Sequence, residues 1–223
     1  MYTQDQLKQQ VAAAAIDFIL PKLQADTILG IGTGSTVDLL IDALAEHKDK
    51  FKAVASSSER STQRLQQHGI TVLDLNQVAS MDWYIDGADE IDAQLNMTKG
   101  GGGALTREKI VASVAQHFLC IVDESKVVAQ LGAFPLPIEV IPMARQVVTR
   151  RLEQLGGQVK WRSGFVTDNG NDIIDVHGLT ITDPAQLEAQ INDIPGVVCC
   201  GLFALSGASV ALVAGQQGVT TMS

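Results

Sequence analysis

Apolar positions along this chain alternate between helical stripes and short runs. Leu7, Val11, Ala14, Ala15 and Phe18 recur at helical intervals behind Thr3-Gln4-Asp5-Gln6, which has the spacing of a capping box, and Pro21 stops the pattern. An amphipathic first helix is expected there. Thr27-Ile28-Leu29-Gly30-Ile31 then reads as a short apolar strand running into Gly32-Thr33-Gly34-Ser35-Thr36 and a helical stretch from Val37 to about Ala45. Strand, glycine-rich turn and helix open a βαβ unit. Further strands are expected from Phe51 to Ala55, Ile70 to Leu75, Trp83 to Ile85 and Phe118 to Val122. One helix should follow Ser56-Ser57-Ser58 as far as about Gln67, and another should follow the glycine run at 100–103 as far as about His117.

Beyond Lys126 the texture changes. Phe134-Pro135-Leu136-Pro137 reads as a linker, followed by a strand from Ile138 to Ile141, a helix from Ala144 to Leu155 and a strand from Gln158 to Trp161. The turn Thr167-Asp168-Asn169-Gly170-Asn171 leads to a strand from Ile173 to Val176, Asp183-Pro184 caps a helix to about Ile194, and a strand runs from Val197 to about Ala204. The order β-α-β-β-α-β is the ferredoxin-like pattern. The expected fold class is α/β: a Rossmann-like open-sheet domain over residues 1–130 and 206–223, plus a smaller ferredoxin-like α+β domain over 131–205. The last strand, Val210 to Ala214, is expected to return to the first domain.

Charge narrows the partners. A formal net charge of −9 over 223 residues argues against nucleic acid or an anionic membrane, which are held by basic surface. An anionic substrate must therefore meet a local cationic cluster. Cys120, Cys199 and Cys200 form no disulfide framework and read as small core residues in a reducing compartment. With no secretory signal at the N-terminus, the expected location is cytoplasmic. The charge-free stretch from Ile194 to Gly215 is long enough to span a bilayer, but Pro195, Gly196, Gly201 and Ser206-Gly207-Ala208-Ser209 interrupt it, so two buried strands joined by a turn fit better.

Candidate chemistry clusters at expected strand ends, where ligands bind in open α/β sheets. The strongest stretch is Lys99-Gly100-Gly101-Gly102-Gly103 before Leu105-Thr106-Arg107-Glu108. Four glycines mark backbone that approaches something closely or adopts positive φ, and free N–H groups beside a lysine suit an oxyanion. Glu108 falls in the first helical turn as the candidate base; on the blander reading, the run is a flexible loop and Glu108 merely complements the helix dipole. Gly30-Ile31-Gly32-Thr33-Gly34-Ser35 lacks the third glycine of a dinucleotide fingerprint and carries no Walker lysine. What remains suits a single phosphate, or equally a tight turn with Thr36 as helix cap. Asp86 and Asp89 could perturb one another's proton affinity or be solvated turn acids. Lys126 could pair with Asp123 or serve a ligand. His47, His68, His117 and His177 are scattered, which argues against a catalytic metal. Proton transfer on a small phosphorylated carbonyl compound fits this set.

The motifs Gly32-Thr33-Gly34-Ser35-Thr36, Ser56-Ser57-Ser58, Asp86-Gly87-Ala88-Asp89-Glu90, Lys99-Gly100-Gly101-Gly102 with Leu105-Thr106-Arg107-Glu108-Lys109, and Ser125-Lys126 together resemble the type A ribose-5-phosphate isomerases. The likeness continues through Phe134-Pro135-Leu136-Pro137, Thr167 to Asn171 and Pro195-Gly196-Val197. It implies interconversion of D-ribose 5-phosphate and D-ribulose 5-phosphate in the non-oxidative pentose phosphate pathway, without metal or organic cofactor, by a homodimer or a tetramer built from dimers. Matched by position, Glu108 shuttles the proton between C1 and C2, and Asp86 assists ring opening and hydroxyl proton exchange. Asp89 binds sugar hydroxyls and Lys99 stabilises the oxyanion. Thr33, Gly34, Ser35, Thr36, Lys126 and Lys8 serve the phosphate end, and Gly87, Ala88, Gly100, Gly101 and Gly102 line the substrate. The chain departs from relatives at Gly103, where they often carry alanine, and at the insert-like Lys22-Leu23-Gln24-Ala25-Asp26. The rival expectations are a sugar-phosphate sensor, which needs no Glu108, and a coenzyme A transferase, which would use its glutamate as a nucleophile.

Overall fold

The computed structural model describes residues 1–223. In chain order the elements are α1 (Gln4–Ile19), β1 (Ile28–Ile31), α2 (Ser35–Leu44), β2 (Ala53–Ser56), α3 (Glu59–Gln67), β3 (Met81–Asp86), β4 (Glu90–Ile91) and β5 (Met97–Thr98). They continue with α4 (Leu105–Val114), β6 (Ala115–Asp123), β7 (Leu136–Val140), α5 (Arg145–Gln154), β8 (Gln158–Trp161) and β9 (Asp172–His177). The chain closes with α6 (Pro184–Asn192), β10 (Val197–Cys200), β11 (Leu202–Phe203), β12 (Val210–Gly215) and β13 (Gly218–Met222). Met1–Gly87, Arg107–Lys126 and Ala208–Ser223 form one unit; Ala88–Thr106 and Val127–Gly207 form another.

The first unit is built on a six-stranded sheet in the order β13-β12-β6-β3-β1-β2, parallel except for the terminal hairpin β12-β13. Thr3 starts α1 as expected: its hydroxyl accepts from Gln6 N–H while the Gln6 side chain accepts from Thr3 N–H. The apolar stripe of α1 buries Leu7, Val11 and Ile16 in the same core as Leu40 and Ile41 of α2 and Leu29, Ile31, Ile85, Leu119 and Ile121 of the sheet. Each such side chain stabilises the fold by roughly 1.5–3 kcal/mol on burial. β1 lies between β2 and β3, so strand order reverses beside it and opens the topological switch point where α/β sheets bind ligands.

Three elements of this unit differ from the expectation. β13 (Gly218–Met222) follows the strand expected to be the last and pairs back on it. Of Ile70 to Leu75 only Val72 bridges to the sheet, beside Val54, because Asp74 accepts from Asn76 N–H (2.8 Å) and turns the chain into a short 3-10 helix. α4 ends at Val114 rather than near His117, since β6 already pairs Ala115 with Met81 and His117 with Trp83.

The second unit carries an antiparallel sheet in the order β10-β7-β9-β8, with α5 and α6 in the intervening connections. Numbered within the unit that order is 4-1-3-2, the ferredoxin-like arrangement expected from the pattern. Leu136-Pro137 belongs to β7 rather than to a linker, and its Pro137 carbonyl accepts from Gly201 N–H (2.8 Å). At Gly201 the final apolar run breaks into β10 and β11, and β11 joins β5 and β4 in a separate three-stranded sheet. The charge-free stretch is thus mostly strand, and no helix is long and apolar enough to cross a membrane. All three cysteines are buried and unbridged.

Candidate active site

In the first unit the carboxyl ends of β1 and β3 are tied together. Gly32 N–H donates to the Ile85 carbonyl (2.9 Å) and Thr33 N–H to Asp86 Oδ1 (3.1 Å). Asp86 is fully buried. Its Oδ1 also accepts from Gly87 N–H (2.8 Å), and its Oδ2 accepts from the Tyr84 hydroxyl (2.5 Å). Tyr84 stands two residues back on the same face of β3, so strand alternation alone sets phenol beside carboxylate. Burial pushes the Tyr84 phenol well above its ordinary range, and the charges of Asp86 and then Glu108 push it further. The phenol therefore remains a donor. Gly32 makes room for the carboxylate, since a Cβ there would lie 1.9 Å from Asp86 Cγ.

Glu108 is 4 % exposed in the first turn of α4. The chain thus places a buried carboxylate at the electropositive end of a helix and within electrostatic reach of Tyr84. The strand-to-helix turn after β1 has Gly34 at the helix N-cap with φ 115° and no side-chain cap. Thr36 is inside α2 and does not cap it, and no side chain caps the first-turn N–H groups, which suits an anion site. Thr33 Oγ1 accepts from the Ser58 hydroxyl (3.0 Å), and Ser58 caps α3 by accepting from Ser61 N–H (3.1 Å). Lys126 ends the short helical turn Glu124–Lys126 after β6. Asp123 is not its partner: that carboxylate accepts from Ser125 N–H (3.0 Å) and the Ser125 hydroxyl. Lys8, on α1, lies 3.9 Å from Asp5.

In the second unit the acidic stretch after Gly87 divides by role. Asp89, beside Ala88, donates its N–H to the Thr98 carbonyl (2.9 Å) and accepts from Gly101 N–H (2.7 Å) through Oδ2. Glu90 accepts from Gly132 N–H (3.0 Å) and Phe134 N–H (2.8 Å), and Asp92 closes its own loop by accepting from Gln94 and Asn96 N–H (2.9 Å each). Glu90 and Asp92 are structural. Lys99 is 3 % exposed; its N–H donates to the Gly201 carbonyl (2.8 Å), and its Nζ lies 5.5 Å from the Phe203 ring centre, a cation–π distance. Gly201 permits this approach, because a Cβ there would lie 2.3 Å from the Lys99 carbonyl oxygen. Gly100 and Gly103 take positive φ, and Gly103 N–H donates to the Gly100 carbonyl (2.8 Å). The glycine run is therefore a defined turn and not a flexible tether. Gly102 has open space where a Cβ would stand.

Sequence reasoning passed over Tyr84, whose position two before Asp86 was the available signal. It also passed over Arg162, which donates to the Gly101 carbonyl (3.0 Å) from 61 residues away and has no local signature. No group of three or more His, Cys, Asp or Glu side chains is arranged to hold a metal ion.

Comparison with known proteins adds an independent line. The family model described as Ribose 5-phosphate isomerase A (phosphoriboisomerase A) matches residues 52–218. Ribose-5-phosphate isomerase A of Bordetella avium (strain 197N) is 62% identical over 223 residues, covering 100% of both chains. The crystal structure of ribose 5-phosphate isomerase A from Neisseria gonorrhoeae superposes with a TM-score of 0.96 at 44% identity, covering 100% of this chain and 98% of that one. A structure of a D-ribose-5-phosphate isomerase in complex with phospho-erythronic acid superposes with a TM-score of 0.92 at 35% identity over 99% of each chain. The chain belongs to the ribose-5-phosphate isomerase A family and is an isomerase of that family.

Proposed function

We propose that this chain interconverts D-ribose 5-phosphate and D-ribulose 5-phosphate through an enediolate, with Glu108 as the general base. The observation that carries the reading is the buried Glu108 carboxylate at the start of α4, whose charge is felt by the Tyr84 phenol. On the open-chain aldose, Glu108 takes the C2 proton; the C–H electron pair forms the C1–C2 double bond and the carbonyl π pair moves onto O1. Asp86, as an acceptor in a fixed orientation, assists ring opening and passes the proton between O2 and O1. Glu108 then returns its proton to C1 as the carbonyl forms at C2, so the enzyme ends unchanged. Asp89 holds sugar hydroxyls, Lys99 stabilises the developing oxyanion, and the N–H groups of Gly100 and Gly102 add donors to it, while Gly101, its N–H held by Asp89, shapes the loop.

Thr33, Gly34, Ser35 and Thr36 at the start of α2 receive the phosphate, with Lys126 and Lys8 supplying positive charge; Gly87 and Ala88 line the sugar. A relative bound to phospho-erythronic acid supports a four-carbon acid phosphate as a probe of this site. The same reading makes the chain a cytoplasmic homodimer of the non-oxidative pentose phosphate pathway that needs neither metal nor organic cofactor.

The test is conversion of D-ribose 5-phosphate to the ketose by purified protein in a chelator, beside Glu108→Gln, with phospho-erythronic acid binding measured for both. Loss of a positioned proton-transfer group should lower kcat roughly 10²–10⁴-fold while analogue binding persists. Binding without turnover by the native protein would leave a sugar-phosphate sensor as the better reading.

A further inference from the structure

The turn from Thr167 to Asn171 has no part in the proposed chemistry, yet it surrounds a fully buried carboxylate. Glu139 on β7 accepts from the Thr167 hydroxyl (2.8 Å), the Asn171 amide (2.8 Å) and the Asn169 amide (3.1 Å to Oε1), and also from the Thr106 hydroxyl. Every one of these partners is neutral. Thr106 stands in the first turn of α4, two residues before Glu108. The same connection between β8 and β9 reaches the other end of the glycine run through Arg162. Its Nη1 donates to the Gly101 carbonyl (3.0 Å) and, at 3.5 Å, to that of Gly100, while Nε and Nη2 grip both oxygens of Asp175 (2.9 and 2.5 Å). Phe165 fills the space under Gly103, where a Cβ would come within 2.2 Å of its ring.

Glycines have almost no conformational preference of their own, so the shape of residues 100–103 has to be imposed by neighbours. A peptide group points its C=O and N–H in opposite directions. Arg162 on the Gly101 carbonyl therefore turns Gly102 N–H away from the guanidinium, and Asp89 holds Gly101 N–H by its own carboxylate. The geometry points to the 162–171 connection as the frame that sets the glycine loop for turnover, with Arg162 and Glu139 as positioning residues that act through the loop without touching substrate. This assignment rests on the isomerase reading above and adds to it the source of the loop's order. Asp175 has a distinct part: it fixes the plane of the guanidinium, as bidentate carboxylate pairing does.

The test compares native protein with Arg162→Met and Arg162→Lys in D-ribose 5-phosphate turnover and in amide hydrogen exchange at Gly101 and Gly103. Misplacement of a loop by about 1 Å can cost on the order of 10²-fold, so Arg162→Met should lower kcat about 10–100-fold with KM changed less than about threefold. Arg162→Lys, keeping one donor in reach of the Gly101 carbonyl, should recover part of that loss. Native kcat in Arg162→Met, or a loss that falls wholly in KM, overturns the assignment. If Arg162→Met does not fold, Asp175→Asn carries the test, since it leaves the donors but frees the guanidinium. Lowered kcat at constant KM supports the frame, and native kcat with native exchange overturns it. If the native protein fails to turn over ribose 5-phosphate, the isomerase reading falls by itself. Exchange then decides the frame, with at least about tenfold faster loss of Gly101 protection in Arg162→Met expected and unchanged protection refuting it.

Discussion

Gly32→Ala is the sharpest probe of the carboxylate at the end of β3. The new methyl would lie 1.9 Å from Asp86 Cγ, 2.0 Å from Oδ1 and 2.5 Å from Cβ. Carbon atoms in contact settle at about 3.5–4.0 Å, so Asp86 must retreat by roughly 1.5–2 Å. Rotation cannot provide this, because Cβ itself is in the way and the residue is fully buried. Retreat breaks some of the bonds from Thr33 N–H, Gly87 N–H and the Tyr84 hydroxyl. Hydrogen bonds to a charged group are each worth about 1.5–3 kcal/mol net, so losing one or two should cost on the order of 3 kcal/mol of stability. Because misplacement by about 1 Å can cost on the order of 10²-fold, kcat/KM for ribose 5-phosphate should fall at least that far. Gly87→Ala is the control for stability: its Cβ would stand 3.6 Å from the Ile121 carbonyl oxygen, an ordinary contact, and it should change stability by less than about 1 kcal/mol. The assays are urea unfolding and steady-state isomerisation. A Gly32→Ala protein with native stability and kcat/KM within about threefold of native would refute the reasoning.

Two further perturbations test the electrostatics. Tyr84→Phe should lose about 1–3 kcal/mol of stability, since Asp86 Oδ2 loses its buried donor. Because the folded phenol is raised, mainly by burial, its contribution is complete below the ordinary tyrosine range near pH 10 and is lost as pH climbs through the folded value. Alkaline absorbance titration of native protein should accordingly show a delayed tyrosinate step that Tyr84→Phe lacks, and its presence in the variant would contradict the assignment. Asp42 accepts from both Arg64 Nε and Nη2 (2.8 and 2.5 Å) and meets His68 at 2.9 Å, and the Arg64 bond holds its carboxyl below the usual range. That stabilisation is present above the ordinary aspartate value near pH 4 and is lost as pH falls through the lower folded value. Both partners are more than a third exposed, so Asp42→Asn should cost at most about 1 kcal/mol at pH 7 in urea unfolding, with the difference shrinking as pH falls through the lowered value.

What the sequence determined by itself was local. The capping box at Thr3, the strand and glycine turn before Ser35, and the order β-α-β-β-α-β after Lys126 are periodic or near-neighbour signals, and each appears in the structure close to its expected place. Such patterns report which face of an element is buried, and that suffices for fold class. They do not report against what. Ile70 to Leu75 has the apolar texture of a strand, yet only Val72 finds a bridge, and the pairing of β12 with β13 depends on a turn at Gln216-Gln217 that bears no strong signature. The tertiary structure alone decided that residues 88–106 fold with the second unit and that, of the acids after β3, Glu90 and Asp92 serve backbone amides. It alone brought Arg162 to the Gly101 carbonyl and Glu139 to Thr106, just beyond the glycine run. A buried carboxylate or guanidinium is defined by donors and acceptors tens of residues away, and chain-local chemistry carries no record of them.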